Sequence, residues 1–254
     1  MMKIADSDWY KHWSLDIKEQ SWVEDTENQV DFIIKTLCLT GKERILDLTC
    51  GFGRHSLTFA RRGFTVTGVD ITKEFIDDAI NSAKASSLEI DFIHSDIRDL
   101  KFNDEFDVVL NLADGAIGYL ENDEENLKIF DVIAKALKPG GKHFMDICNA
   151  EHAEYFFPKR HWEIGLNQVS LPEFDWDKHT RRMLFGQWEI PFGQVIKKTA
   201  PLVATSTRLY SRDELEMILR KRHMDMIQTF SNYCGKEETY KELQLMVYSR
   251  KQKP

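Results

Sequence analysis

The stretch Ile45-Leu46-Asp47-Leu48-Thr49-Cys50-Gly51-Phe52-Gly53 decides how this chain folds. It opens within a short apolar run, Arg44 to Leu48, of the length of a buried strand. It closes on two glycines, which permit a tight turn and let a ligand approach the backbone. Helical periodicity resumes after Gly53 and ends near Gly63. Strand, glycine turn and helix in that order bring unpaired helix N–H groups to the strand's end, where they suit a carboxylate or phosphate. A G-x-G alone also fits an ordinary strand-to-helix turn, so its neighbours carry the decision.

Upstream, Val30, Ile33, Ile34 and Leu37 share one helix face, and Gly41 is the expected stop. Downstream, Thr65 to Asp70 reads as a second strand. Thr72 then stands as N-cap of a helix with Phe75, Ile76, Ala79, Ile80 and Ala83 inward. Glu89 to His94 and Phe106 to Leu112 read as the third and fourth strands. Asn122 and Glu125 have capping-box spacing, and the helix they open ends at Lys138-Pro139-Gly140-Gly141. Lys142 to Ile147 is the fifth strand. Ser211 and Glu214 cap a last helix, and Asp225 to Phe230 and Leu243 to Ser249 close the chain as two more strands. The alternation predicts an α/β fold with a doubly wound, mostly parallel seven-stranded sheet, its ligands at the carboxyl ends of the strands.

Between Asn149 and Tyr210 the pattern changes to short strands broken by Pro158, Gly165, Pro172, Gly186, Pro191 and Gly193. Aromatics are dense there. Residues 150–210 are expected to form an antiparallel β-rich cap insertion over a partly apolar pocket, or a small layer whose core these aromatics fill. Residues 1–25 are expected to form an N-terminal lid, all within a single domain spanning 1–254.

The chain has 254 residues, 42% hydrophobic and 30% charged, which suits one ordinary globular domain. Its net charge of -8 argues against a nucleic-acid partner, which would favour a basic surface. Cys38, Cys50, Cys148 and Cys234 form no C-x-x-C pair and suggest neither zinc nor disulfides. The N-terminus has no apolar leader, and no apolar run approaches the ~18 residues of a membrane span. The expectation is a cytoplasmic monomer or homodimer with no membrane, nucleic-acid or metal partner.

Polar residues end successive strands. Asp70 stands 19 positions after Gly51, where an acidic side chain meets ribose hydroxyls. Asp96 is placed to accept from an adenine amino group, and Asn111 borders the same crevice. The dinucleotide fingerprint needs a third glycine, and Ser56 occupies that position. Asp47, just before the loop, would repel a pyrophosphate but suits the ammonium of a methionine moiety. These features favour S-adenosylmethionine over NAD.

Leu46 to His55 resembles the first motif of class I methyltransferases, in the version of bacterial small-molecule enzymes. Val69-Asp70, Ser95-Asp96-Ile97, Phe106-Asp107-Val108-Val109 and Leu137-Lys138-Pro139-Gly140-Gly141 resemble the later motifs in order. The likeness covers roughly residues 26 to 150 and extends weakly through Arg208 to Ser211. It implies a Rossmann-like methyltransferase fold and S-adenosylmethionine as cofactor. Asp47 and Arg54 would meet the methionine moiety, Gly51 and Gly53 the cofactor's path, and Asp70 and Ile71 the ribose and adenine ring. Asp96 and Ile97 would read the adenine edge, with Asn111 and Leu112 on the methionine side. Thr49 is expected among the cofactor-binding residues too, though it departs from the family, which often has glycine there.

The implied reaction is in-line displacement of the methyl group onto a nitrogen, oxygen or carbon of a small, partly apolar or aromatic acceptor. Asp114 and Tyr119 after the fourth strand, and Tyr10 and His12 in the N-terminal segment, are the candidate catalytic residues. Methylation of a protein or RNA, and S-adenosylmethionine binding without catalysis, stand as alternatives.

Overall fold

A computed structural model describes residues 2–165, 167–195 and 202–253. Residues 166 and 196–201 of the expected insertion, and Met1 of the expected lid, lie outside the described residues. Five strands follow the sequence pattern: Arg44–Leu48 (β1), Thr65–Asp70 (β2), Asp91–His94 (β3), Phe106–Asn111 (β4) and Leu137–Cys148 (β5). Three longer strands build the insertion, beside two of two residues each: Gln168–Asp177 (β6), Arg182–Pro191 (β7) and Val203–Arg208 (β8). Met224–Phe230 (β9) and Gln244–Lys251 (β10) close the chain. The main sheet runs β9-β10-β5-β4-β1-β2-β3, with only β10 antiparallel to its neighbours.

Helices cover both faces: Thr26–Leu37 (α1), Arg54–Arg61 (α2), Lys73–Ala85 (α3), Asp123–Ala136 (α4) and, after Ala150–Phe156 (α5), which packs in the insertion, Arg212–Arg220 (α6). Strand residues alternate between two cores, as a period of two requires. Ile45, Val108 and Phe144 pack with Val30, Ile33 and Phe59. Leu46, Val109 and Met145 pack with Phe130, Ile133 and Leu219 on the other face. Leu48 is in register with Val69 of β2 and Asn111 of β4, so the loops leaving these three strands emerge at one edge.

Local chemistry shifts several expected boundaries. α1 stops before Gly41, because Cys38 takes the left-handed cap conformation at φ 49° and its N–H donates to Ile34 and Lys35 carbonyls. Thr72 holds the N-cap position of α3 without a side-chain cap bond. Its N–H instead donates to Asp70 Oδ1 at 2.8 Å. Asn122 caps Glu124, but Glu125 turns away to Arg98 and Lys128, so that box is half-formed. The Ser211–Glu214 box is complete.

The insertion differs most from its sequence reading. It opens with helix α5 and contains two ten-residue strands in place of short broken ones. Pro172 is tolerated within β6 because it falls between the two short outer partners, Lys159–Arg160 and Glu163–Ile164. Gly186 is needed within β7, since a Cβ there would lie 2.8 Å from Leu202 Cγ. Lys3–Ile4 adds to β8 as a parallel edge, so the N-terminal segment and the insertion share the second sheet.

Candidate active site

A cavity of about 610 Å³ opens where β1, β2, β4 and β5 end. Its glycine loop is held from below. Asp70 Oδ2 accepts from Gly51 N at 2.9 Å while Oδ1 holds Thr72 N. Burial raises the Asp70 carboxyl, and these two backbone donors oppose the rise. Gly51 lines the cavity at φ 56°, and a Cβ added there meets nothing nearer than Phe75 at 3.9 Å. Gly53 has a different task. Its φ is 81°, and a Cβ would press to 3.0 Å on Ala79 and Phe92. It lets the loop pack on α3 and β3 and does not line the cavity.

Thr49 lines the cavity at φ 58°, a left-handed conformation that is costly for a β-branched residue. Its hydroxyl bonds the Leu48 carbonyl. A glycine would take this φ without that cost. A second strained loop follows β4: Ala113, Asp114, Gly115 and Ala116 take φ of 52°, 68°, 52° and 59°. Four successive left-handed residues need outside support. Asn111 Nδ2 donates to the Gly115 carbonyl at 3.1 Å, and Arg208 N donates to the Gly118 carbonyl at 2.8 Å. Arg182 Nη1 reaches the Leu120 carbonyl at 3.1 Å. The insertion therefore shapes the loop that carries Asp114 and Tyr119.

Of the expected cofactor residues, Thr49, Gly51, Arg54, Asp70, Ile71 and Leu112 line the main cavity. Asp96 and Ile97 line a small adjoining pocket, which shares Tyr10, Thr49, Ile71, Ala116 and Tyr119 with it. Arg98 grips Asp96 through Nε at 3.0 Å and Nη2 at 2.6 Å, which lowers the carboxyl's pKa. Asp47 and Asn111 are buried and line neither space. Asp47 accepts from Ser56 Oγ at 2.6 Å, and burial raises its pKa to about 6.

Among the expected catalytic residues, Tyr10, Asp114 and Tyr119 line the cavity. Burial raises both the Asp114 carboxyl and the Tyr119 phenol. His12 does not reach it; it is exposed, with Nε2 3.8 Å from Asp8 Oδ1. Of the two expectations for the aromatic segment, a layer with its own core is the one its described residues fit. Among the described residues, none from 150 to 210 lines the cavity. Phe157 stacks on Phe174, which meets Phe185 at a tilt, and all three pack with Ala150, Ala153 and Met183 as the core of their own layer. The N-terminal segment adds Tyr10, Trp13 and Trp22 to an aromatic lining that also holds Phe52, Phe75, Tyr119 and Tyr233.

Several lining residues escaped the sequence reading. Gln29 Oε1 accepts from Arg54 Nη1 at 2.7 Å and lies 2.8 Å from His55 Nε2. The Arg54 guanidinium also lies 4.9 Å over the Trp22 ring. Asp146 of β5 accepts from the Tyr233 hydroxyl at 2.6 Å. Burial raises the Asp146 carboxyl to about 7; Tyr233 opposes the rise and the Asp114 charge adds to it. An acid inside the run Phe144 to Ile147 was a readable signal, because a charge seldom sits in a buried strand without a task. Tyr233, in the loop after β9, carried none.

S-adenosylmethionine fits these residues. Gly51 leaves the backbone open, and the Asp70 carboxylate keeps accepting capacity beyond its two backbone bonds. Ile71 and Ile97 offer apolar walls beside Asp96.

Residues 45–141 match the family model described as a methyltransferase domain. A putative methyltransferase of Bacillus subtilis is 34% identical over 121 residues, 47% of this chain and 48% of that protein. A ubiquinone biosynthesis O-methyltransferase of Coxiella burnetii is 32% identical over 161 residues, 63% of this chain and 66% of that protein. The matched part of the chain spans about half the length of the first of these relatives. The crystal structure of an S-adenosylmethionine-dependent methyltransferase from Clostridium acetobutylicum superposes with a TM-score of 0.75 at 18% identity, covering 93% of this chain and 96% of that one. Residues 45–141 thus resemble a methyltransferase domain, and the sheet topology is the fold of the S-adenosylmethionine-dependent methyltransferase from Clostridium acetobutylicum.

Proposed function

We propose that this chain transfers a methyl group from S-adenosylmethionine to a small acceptor molecule enclosed in the cavity. One observation carries the reading. The space beside Gly51, Asp70 and Ile71 is continuous with space walled by Asp114, Tyr119, Asp146 and Tyr233. The first set suits a nucleoside, and the second presents titratable groups to whatever lies beyond it. The Coxiella relative's name, a ubiquinone biosynthesis O-methyltransferase, supports a small-molecule acceptor.

The bound cofactor would supply the electrophilic methyl carbon. The chain's residues supply the rest. Asp70 orients the ribose end, Arg98 keeps Asp96 ionised at the adenine end, and Arg54 offers a cation for a carboxylate. Residues 1–25 act as the lid, with Tyr10, Trp13, Ile17 and Trp22 turned to the cavity to exclude water. Residues 150–210 act as the support of the 113–120 loop. Free cysteines fit a reducing, cytoplasmic setting, and no helix among the described residues is long and apolar enough to cross a membrane.

The test has two parts. Calorimetry should show S-adenosylhomocysteine binding that Asp70→Ala weakens more than tenfold. Mass spectrometry of a cell extract given enzyme and S-adenosylmethionine should show a small metabolite gaining one methyl group. Methylation confined to protein or RNA would overturn the small-molecule reading.

A further inference from the structure

The acceptor end of the cavity is acidic and has one unmet need. Asp114 N donates to the Asp146 carbonyl at 2.8 Å, which ties the two acidic residues together across the ends of β4 and β5. Asp146 is 6% exposed and lines the cavity. Its Oδ2 takes the Tyr233 hydroxyl, while its Oδ1 is buried with no hydrogen-bond partner. A buried carboxylate oxygen without a donor is costly, so a bound molecule is expected to bring one.

The charges say which kind of donor. Among the described residues lining the cavity, Arg54 is the only cation, and Thr26 and Gln29 already engage its guanidinium. Burial keeps His55 neutral and holds the Cys148 thiol protonated. A hydroxyl acceptor would have to develop negative charge beside Asp114 and Asp146, and like charges in a buried site repel strongly. An ammonium reverses the sign. It gives Oδ1 its hydrogen bond, relieves the repulsion between the two acids, and loses charge when it gives up a proton.

Resting on the methyltransferase reading above, we propose that the acceptor is an amine, bound as its ammonium form by Asp146 with Asp114 beside it, and that Asp146 takes the proton that frees the nitrogen lone pair. The lone pair forms the new carbon–nitrogen bond. The sulfur–methyl bond breaks, and its electron pair stays on sulfur. The product leaves as a methylated ammonium, and the proton on Asp146 passes to solvent. The Asp146 carboxyl, raised by burial to about 7, is matched to that exchange near neutral pH.

Calorimetry at about pH 8 tests this with benzylamine, 2-phenylethylamine and cyclohexylamine against the alcohols of the same shape, each with S-adenosylhomocysteine present. At least one amine is expected to bind tenfold or more tightly than its alcohol, and Asp146→Asn should erase the difference. Tyr233→Phe should keep the preference but move the onset of amine binding to higher pH, so the idea stays testable if Asp146→Asn misfolds. Alcohols binding as well as amines, no amine binding, or a preference that survives Asp146→Asn would overturn it. So would Asp146→Asn weakening S-adenosylhomocysteine with amine and alcohol alike, which would place Asp146 at the cofactor. Wild-type protein that binds no S-adenosylhomocysteine would overturn the methyltransferase reading instead, while the amine–alcohol comparison without it still tests the ammonium site.

Discussion

Ser56 Oγ donates a 2.6 Å hydrogen bond to Asp47 Oδ2, and both residues are buried under the glycine loop. The residue that breaks the dinucleotide fingerprint therefore has a partner in the acid before the loop. Ser56→Ala would leave a buried carboxylate with one donor fewer, at a cost of about 1–3 kcal/mol. Chemical denaturation should show that loss, and it should shrink at pH 5, where more of the Asp47 carboxyl is protonated.

Asp47 and Asp146 make stability depend on pH in an unusual direction for carboxylates. Both are raised by burial, to about 6 and about 7, above an unfolded value of about 3.9. The folded state thus holds more protons than the unfolded state between those limits. The stability these groups contribute is fully present below about pH 4 and is lost as pH rises through 6 and 7. Denaturation midpoints of the unliganded protein should fall between pH 5 and pH 8. Asp146→Asn should flatten the upper part of that fall; an unchanged slope would rule Asp146 out as its source.

Gly51 and Gly53 have separable roles. Gly53→Ala presses a methyl group on Ala79 and Phe92 and strains a positive φ, so stability should drop by about 2 kcal/mol or more. Gly51→Ala meets open space, so its cost in the fold should be only the strain of about 1 kcal/mol. Its methyl group points where the cofactor would pass, and S-adenosylhomocysteine affinity should fall more than tenfold. Melting curves and calorimetry on the two variants distinguish the roles.

Thr49 stores strain at the same loop. Thr49→Gly should leave stability within about 1 kcal/mol of wild type, because relief of the left-handed φ offsets the added freedom of the unfolded chain. Thr49→Val keeps the strain and loses the hydroxyl's bond to Leu48, and should be the less stable of the two. Equal destabilisation by both would show that the φ is not strained.

The strands, the glycine loop, the Ser211–Glu214 cap and the position of Asp70 are set by local pattern: alternation, turn residues and spacing along a few tens of residues. Those features were legible in the sequence, and with them the methyltransferase resemblance and the cofactor it implies. The acceptor side was not. Asp146 and Tyr233 meet across 87 positions, and Arg54 and Gln29 across 25, through packing that no periodicity encodes. Composition left the aromatic segment open between a cover and a layer with its own core, and it is packing that gives its described residues such a core, while a charged, weakly patterned N-terminus adds Tyr10, Trp13 and Trp22 to the cavity lining. Asp47, Ser56 and the two glycines identify the loop by sequence alone. What that loop faces depends on which distant side chains the completed sheet brings to its edge.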